Sequence, residues 1–169
     1  MHTSMRRQDR QVTDPVLIRR ILDTAKVGRM GMIDMGDQEE GEEPRPYVVP
    51  RHYGYVWEGQ ELILYMHGAK EGRTPDVLSK NDRVFIEIES DTELISGGDV
   101  ACRYGANYAS IMGDGVCRIL EDPQEKIRGL NCLMKLQTGR EFPITAAMAD
   151  SVNVYEITVP VISCKMRKK

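Results

Sequence analysis

His67, Gly68, Ala69, Lys70, Gly72 and Arg73 put a histidine, small residues and two cations into one short run. The run follows an apolar segment, Leu62 to Met66, that reads as a strand. Small residues let the backbone approach a ligand. Cations neutralise an anion, and a helix starting here would aim free N–H groups at a phosphate. Thr74-Pro75, followed by Val77 and Leu78, supplies that short helix, with Asn81-Asp82 ending it. Lys70 and Arg73 are therefore the candidate phosphate ligands. Gly68, Ala69 and Gly72 would permit close approach, although a plain turn needs the same residues. His67 could hydrogen-bond a ligand or substrate, or protonate a reduced product; a structural role is the competing reading.

The elements that must position these residues follow from pattern. Asp14-Pro15 starts a helix carrying Leu17, Ile18, Ile21, Leu22 and Ala25, which Gly28 is expected to end. Arg29 to Asp34 reads as a first strand, and 36–44, with Glu39, Glu40, Glu42 and Glu43, as a solvated acidic loop. Tyr47 to Trp57 is β-rich, and Pro50 within it argues for an edge or a bulge. A turn at Glu58-Gly59-Gln60 makes a hairpin with Glu61 to His67, where Leu62, Leu64 and Met66 share one face and Ile63, Tyr65 and His67 the other. Arg83 to Glu89 alternates as a half-buried strand, 91–107 reads as an irregular loop, and Tyr108 to Leu120 as a long strand bent at Gly113 and Gly115.

Asp122-Pro123 opens the clearest helix, with Ile127, Leu130, Leu133 and Met134 as its stripe. Val152 to Val159 is the last expected strand. Residues 1–13 are read as a flexible arm containing Arg6, Arg7 and Arg10, with His2 disordered; 161–169 are read as a basic tail. The order predicts one α+β domain over 1–169, mainly β, with a Greek-key barrel and flanking helices. No Gly-x-Gly-x-x-Gly joins a strand to a helix, which argues against a doubly wound fold.

Composition narrows the function classes. The chain has 169 residues, 41% hydrophobic, and a net charge of −3. Its pI is near 5.7 and its mean hydropathy −0.41. That balance does not favour a nucleic-acid binder, and no run is long enough to span a membrane. No apolar run follows the early arginines, so no secretory signal is read there, and a cytoplasmic location is expected. Cys102, Cys117, Cys132 and Cys164 have no zinc spacing and read as free, mostly buried thiols, Cys102 included. No metal is expected.

These pieces together resemble the pyridoxamine-phosphate-oxidase-like flavoproteins, in the Nim-type branch named for nitroimidazole resistance. The likeness rests on Pro46-Tyr47-Val48-Val49-Pro50 followed by an aromatic-Gly-Tyr, and on Leu64 through Arg73. Ala101-Cys102-Arg103-Tyr104, Tyr108-Ala109-Ser110-Ile111 with Gly113, and Met5-Arg6-Arg7 through Asp14-Pro15 extend it over nearly the whole chain. The resemblance implies a split β-barrel that dimerises and holds FMN, sometimes FAD, at the subunit interface. A barrel this small cannot enclose a whole flavin, which suits an interfacial site.

The same resemblance places Val49, Pro50, Arg51, His52 and Tyr53 along the flavin ring, links His67 with the active site, and lets Tyr108 and Ser110 reach phosphate or ribityl oxygens. Arg51 and His52 depart from the family pattern, where an apolar residue and often an asparagine are expected. A cation at that edge of the flavin would stabilise its reduced anion; one of the pair should instead face solvent, because neighbouring strand residues point opposite ways. The implied activity is FMN-dependent oxidoreduction, with reduced nicotinamide as donor and a small planar acceptor such as a nitroaromatic. The alternatives are a haem-binding module, with His67 or His52 as axial ligand, or a pyridoxal-phosphate carrier on the same barrel.

Overall fold

The computed structural model describes residues 5–37, 40–58 and 61–167. The first helix, α1 (Pro15–Thr24), forms as its sequence dictates: the Asp14 carboxylate accepts from Val16 N and proline fills the first position. It stops at Ala25 rather than Gly28. Gly28 instead lies inside β1 (Val27–Asp34), packed against Tyr53, Met66 and Ile88.

The β-rich stretch divides into β2 (Arg45–His52) and β3 (Gly54–Glu58), with Tyr53 between them. β3 pairs with β4 (Glu61–Gly68), although the turn residues Gly59 and Gln60 lie outside the described residues, as do His2, Glu39 and 168–169. After α2 (Arg73–Lys80) come β5 (Arg83–Ile95), β6 (Gly105–Ile119), α3 (Pro123–Thr138), α4 (Ala146–Asp150), β7 (Asn153–Val159) and β8 (Ser163–Arg167).

All pairs are antiparallel, and the strand order is β2-β1-β5-β6-β7-β4-β3, with β8 on β6. The two end strands are consecutive in the chain, so the sheet curls into a split barrel. The architecture is mainly β with α+β character. Met30, Tyr53, Leu64, Met66, Ile86, Ile88, Ile111 and Ile157 fill the barrel, and Ile21 and Leu22 of α1 join them. Each such side chain contributes about 1.5–3 kcal/mol on burial.

Several expectations change. The segment 91–107 is strand at both ends: β5 and β6 extend as a hairpin arm to Ile95 and from Gly105, with an irregular tip between them. The register shift of this pair falls between Ser90 and Glu93, where Asp91 adopts a left-handed φ of 57°, not at Gly113 or Gly115. Those two glycines make room for a close neighbour: a Cβ would stand 2.8 Å from the Val161 carbonyl at Gly113 and 2.9 Å from that of Thr158 at Gly115. The expected basic tail contains β8, with Cys164 buried, because alternate residues of that strand face the core. In the expected flexible arm, Val12 is buried and its N–H donates to the Cys164 carbonyl. Cys102 is exposed, in a short turn at the tip of the arm.

The free edge of β3 is covered by side chains. Gln137 Nε2 donates to the Tyr53 carbonyl at 2.8 Å, the Cys132 thiol to that of Tyr55 at 3.3 Å, and Arg19 Nη2 to that of Trp57 at 2.8 Å. α3 lies so close that a Cβ on Gly54 would collide with the backbone of Cys132 and Leu133. Backbone cannot rotate aside, so Gly54→Ala should lower stability by about 1–3 kcal/mol or more, read as a lowered urea midpoint. An unchanged midpoint would refute this packing.

Candidate functional site

The end of β4 carries the candidate site. Its inward residues Leu62, Leu64 and Met66 are fully buried, which leaves Ile63, Tyr65 and His67 on the other face. The strand finishes at Gly68, where a Cβ would come within 2.5 Å of Arg51 Nη1. Asn153 Nδ2 holds the next turn, donating to the carbonyls of Ala69 (3.2 Å) and Lys70 (3.0 Å). Gly72, at φ 122°, then leads into α2 in a conformation that favours glycine. Side chains of Asp14, Asp122 and Thr145 cap the other three α-helices, whereas no side chain caps α2.

Both expected phosphate ligands flank this turn, and each is engaged by a carboxylate. Lys70 Nζ lies 3.0 Å from Asp150 Oδ1. Arg73 places Nε and Nη2 each 2.9 Å from Asp34 Oδ2 and stacks 4.2 Å above the Tyr47 ring. Hydrogen bonding from Lys70 depresses the pKa of Asp150, and Lys126 adds to the effect. Asp34 is depressed first by the Gly36 N–H and then by Arg73. Neither carboxylate carries a sequence signal for this site, because each lies far along the chain from its cation.

Arg51, which the resemblance places along the flavin ring, is engaged by the chain itself. Its guanidinium donates to the His67 carbonyl at 2.7 Å and to Thr74 Oγ1 at 2.9 Å, and it sits 5.1 Å over the Tyr155 ring. It therefore ties β2 to the end of β4 and to the first turn of α2. His52 points the other way and is exposed, with Nδ1 2.9 Å from the Lys26 carbonyl oxygen. His67 is exposed too. Burial of part of its ring, with Arg51 and His52 nearby, lowers its pKa and favours the neutral imidazole.

The remaining expected residues divide. Val49 is half-buried on the inward face of β2, and Pro50 is exposed on the outward face. Tyr53 is fully buried, and its hydroxyl donates to the carbonyls of Leu22 (2.7 Å) and Ala25 (3.2 Å). That spends its polar atom inside the fold and leaves no face of Tyr53 for a ring. Tyr108 and Ser110 lie where β6 pairs with β8, and the Tyr108 hydroxyl accepts from Arg10 Nη1 at 3.1 Å. β4 reaches β6 only through β7, at Val116 to Ile119, so within one chain Tyr108 and Ser110 do not join the Lys70–Arg73 turn. The residues whose place at this site the sequence did not reveal are Asp34, Tyr47, Thr74, Lys126, Asp150, Asn153 and Tyr155; Thr74, beside Arg73, and Tyr47, in the motif behind the resemblance, carried a local signal.

The donor set fits a phosphate: two cations, a glycine-lined turn and an uncapped helix start. Among the described residues no group of three or more His, Cys, Asp or Glu side chains could hold a metal ion. No helix among them is long and apolar enough to cross a membrane.

A search of curated proteins finds no match. Solved structures do match. A Bacteroides thetaiotaomicron protein whose name assigns it to 5-nitroimidazole antibiotic resistance is 27% identical, with a TM-score of 0.73, over 92% of this chain and 86% of its own. The flavocytochrome Anf3 of Azotobacter vinelandii is 21% identical, with a TM-score of 0.73, over 98% of this chain and 72% of its own. An FAD- and haem-binding protein of Mycobacterium smegmatis is 16% identical, with a TM-score of 0.73, over 95% of this chain and 74% of its own. The sequence family described as pyridoxamine 5'-phosphate oxidase matches residues 16–166. By that match, over nearly all of the split barrel, the chain belongs to the pyridoxamine 5'-phosphate oxidase family.

Proposed function

We propose that the chain is an FMN-dependent oxidoreductase that acts on a small planar acceptor. The observation that carries this reading is the turn from Gly68 to Arg73: two cations flank a glycine-rich bend into a helix with no side-chain cap. That turn would hold the flavin phosphate, with FAD as a second flavin of the same chemistry. A bound flavin would supply hydride acceptance from a reduced nicotinamide and electron delivery to an acceptor such as a nitroaromatic. The protein's residues hold and orient. Arg51 braces the turn from behind through Thr74 and the His67 carbonyl. His67, neutral and exposed, can accept or relay a proton at the mouth of the site.

The partner that fits is a second copy of this chain, with the flavin between the two. The outer face of the sheet lines up Val48, Gly31 and Phe85 in register, with Ile33, Met112 and Val116 beside them. Val48, Ile33, Phe85, Met112 and Val116 are each more than a third exposed. An apolar face of this kind suits self-association.

A haem-binding reading has one observation in its favour: neutral His67 keeps a ring exposed, whereas His52 already uses Nδ1. The Azotobacter and Mycobacterium proteins are named for flavin with haem, so both ligands merit the same titration.

Three outcomes are expected. Lys70→Ala and Arg73→Ala should each weaken FMN about tenfold in a fluorescence titration, less than a bare charged hydrogen bond would give because Asp150 and Asp34 are freed in exchange. Retention of full affinity in the double variant, or a Soret band with no flavin uptake, would sink the phosphate assignment. Phe85→Glu should convert a dimer to a monomer in sedimentation; a monomeric parent protein would overturn the interface. The His67 ring should titrate below its ordinary 6.5 by NMR. Because folding lowers this pKa, the unfolded chain binds the proton more readily, so His67 costs stability as pH falls below about 6.5 and the loss disappears above it. A midpoint at or above 6.5 would contradict that environment.

A further inference from the structure

Among the described residues, the amine of Lys126 has one long ion pair and no closer counter-ion. Lys126 lies on α3, and its side chain is 5% exposed. Its ammonium reaches Asp150 Oδ1 at 3.5 Å, the outer limit of a hydrogen bond, and that carboxylate is 78% exposed. Lys70 Nζ reaches the same oxygen at 3.0 Å. Two ammonium groups thus converge on one carboxylate oxygen, and one of them is almost wholly withdrawn from water.

A buried ammonium is costly unless it is closely paired, and one long contact to a solvated carboxylate returns little of that cost. A lysine kept only for its aliphatic stem would be served as well by methionine. The charges also fail to balance: Lys70 and Lys126 carry two positive charges and Asp150 one negative. A phosphate dianion at the carboxylate's position would match both and offer more acceptor oxygens. The surroundings allow such an exchange. Asp150 is the last residue of a short helix, so it can turn into solvent without disturbing the sheet. Asn153 already holds the carbonyls of Ala69 and Lys70, which keeps those acceptors occupied beside the anion.

We propose that Lys126 is a further ligand of the cofactor phosphate, and that Asp150 occupies the phosphate's place in the ligand-free chain. This rests on the flavin reading above. The competing role is a staple, in which Lys126 merely fastens α4 to α3.

The test compares FMN with riboflavin, which differ by the phosphate, in the full-length parent protein, in Lys126→Met and in Asp150→Asn, with thermal unfolding alongside. The ratio of FMN to riboflavin affinity should fall about tenfold in Lys126→Met and rise severalfold in Asp150→Asn. An unchanged ratio in Lys126→Met, together with a lower unfolding temperature, would establish the staple instead. An unchanged or reduced ratio in Asp150→Asn would also overturn the proposal. Should Lys126→Met fail to fold, Asp150→Asn decides alone, because that residue is exposed. A parent protein that binds both flavins equally would overturn the phosphate clamp. One that binds neither would overturn the flavin reading itself and this inference with it.

Discussion

The barrel can close only where β2 becomes β3, because its two end strands are neighbours in the chain. Residues Arg51 to Gly54 meet that constraint in different ways. Arg51 reaches across the gap to the carbonyl that ends β4. Tyr53 drives its ring into the core and fixes the last turn of α1 through its hydroxyl. Gly54, lacking a side chain, lets α3 approach to backbone contact. The helices α1, α2 and α3 and the end of β4 are all tied to this short stretch. The turn at Gly68 to Arg73 inherits its place from it, since Arg51 bonds to both sides of that turn.

The electrostatics of the turn follow a consistent logic. Lys70 and Arg73 are half-exposed, so their ion pairs with Asp150 and Asp34 are screened and contribute little to stability. Weak pairs of this kind hold long side chains near a defined position without committing them. A ligand anion bound as proposed would meet cations already gathered near the start of α2. Arg51 differs: its guanidinium is bound on both arms and stacked on Tyr155, so it contributes position rather than a free charge.

Much of this was legible in the sequence, for local reasons. Asp14-Pro15 and Asp122-Pro123 carry their own capping chemistry, and both helices begin there. The alternation of Leu62, Leu64 and Met66 fixes which face of β4 is buried, and Pro50 marks an edge strand correctly. What escaped depends on distant partners. The β5 half of the hairpin arm is exposed on both faces, so it shows no alternation. β8 hides its buried Cys164 among the lysines and arginines of an apparent tail. Tyr53 looks like any strand aromatic until the break between β2 and β3 turns it inward. Asp34 and Asp150 have nothing in their neighbourhoods to connect them with cations on another element.

Open sheets offer unpaired backbone groups at their ends, and this one disarms its two ends by different chemistry. Along β3 and the residue that leads into it, alternate outward carbonyls are already taken by a glutamine, a thiol and an arginine from neighbouring helices. On β2, Pro46 and Pro50 fall on alternate pleats of the same parity and lack the N–H that an incoming strand would need. Both ends are thereby poor templates for strand addition. The fold can therefore offer a broad apolar sheet face for association while resisting the edge-to-edge growth that turns β-rich proteins into fibres.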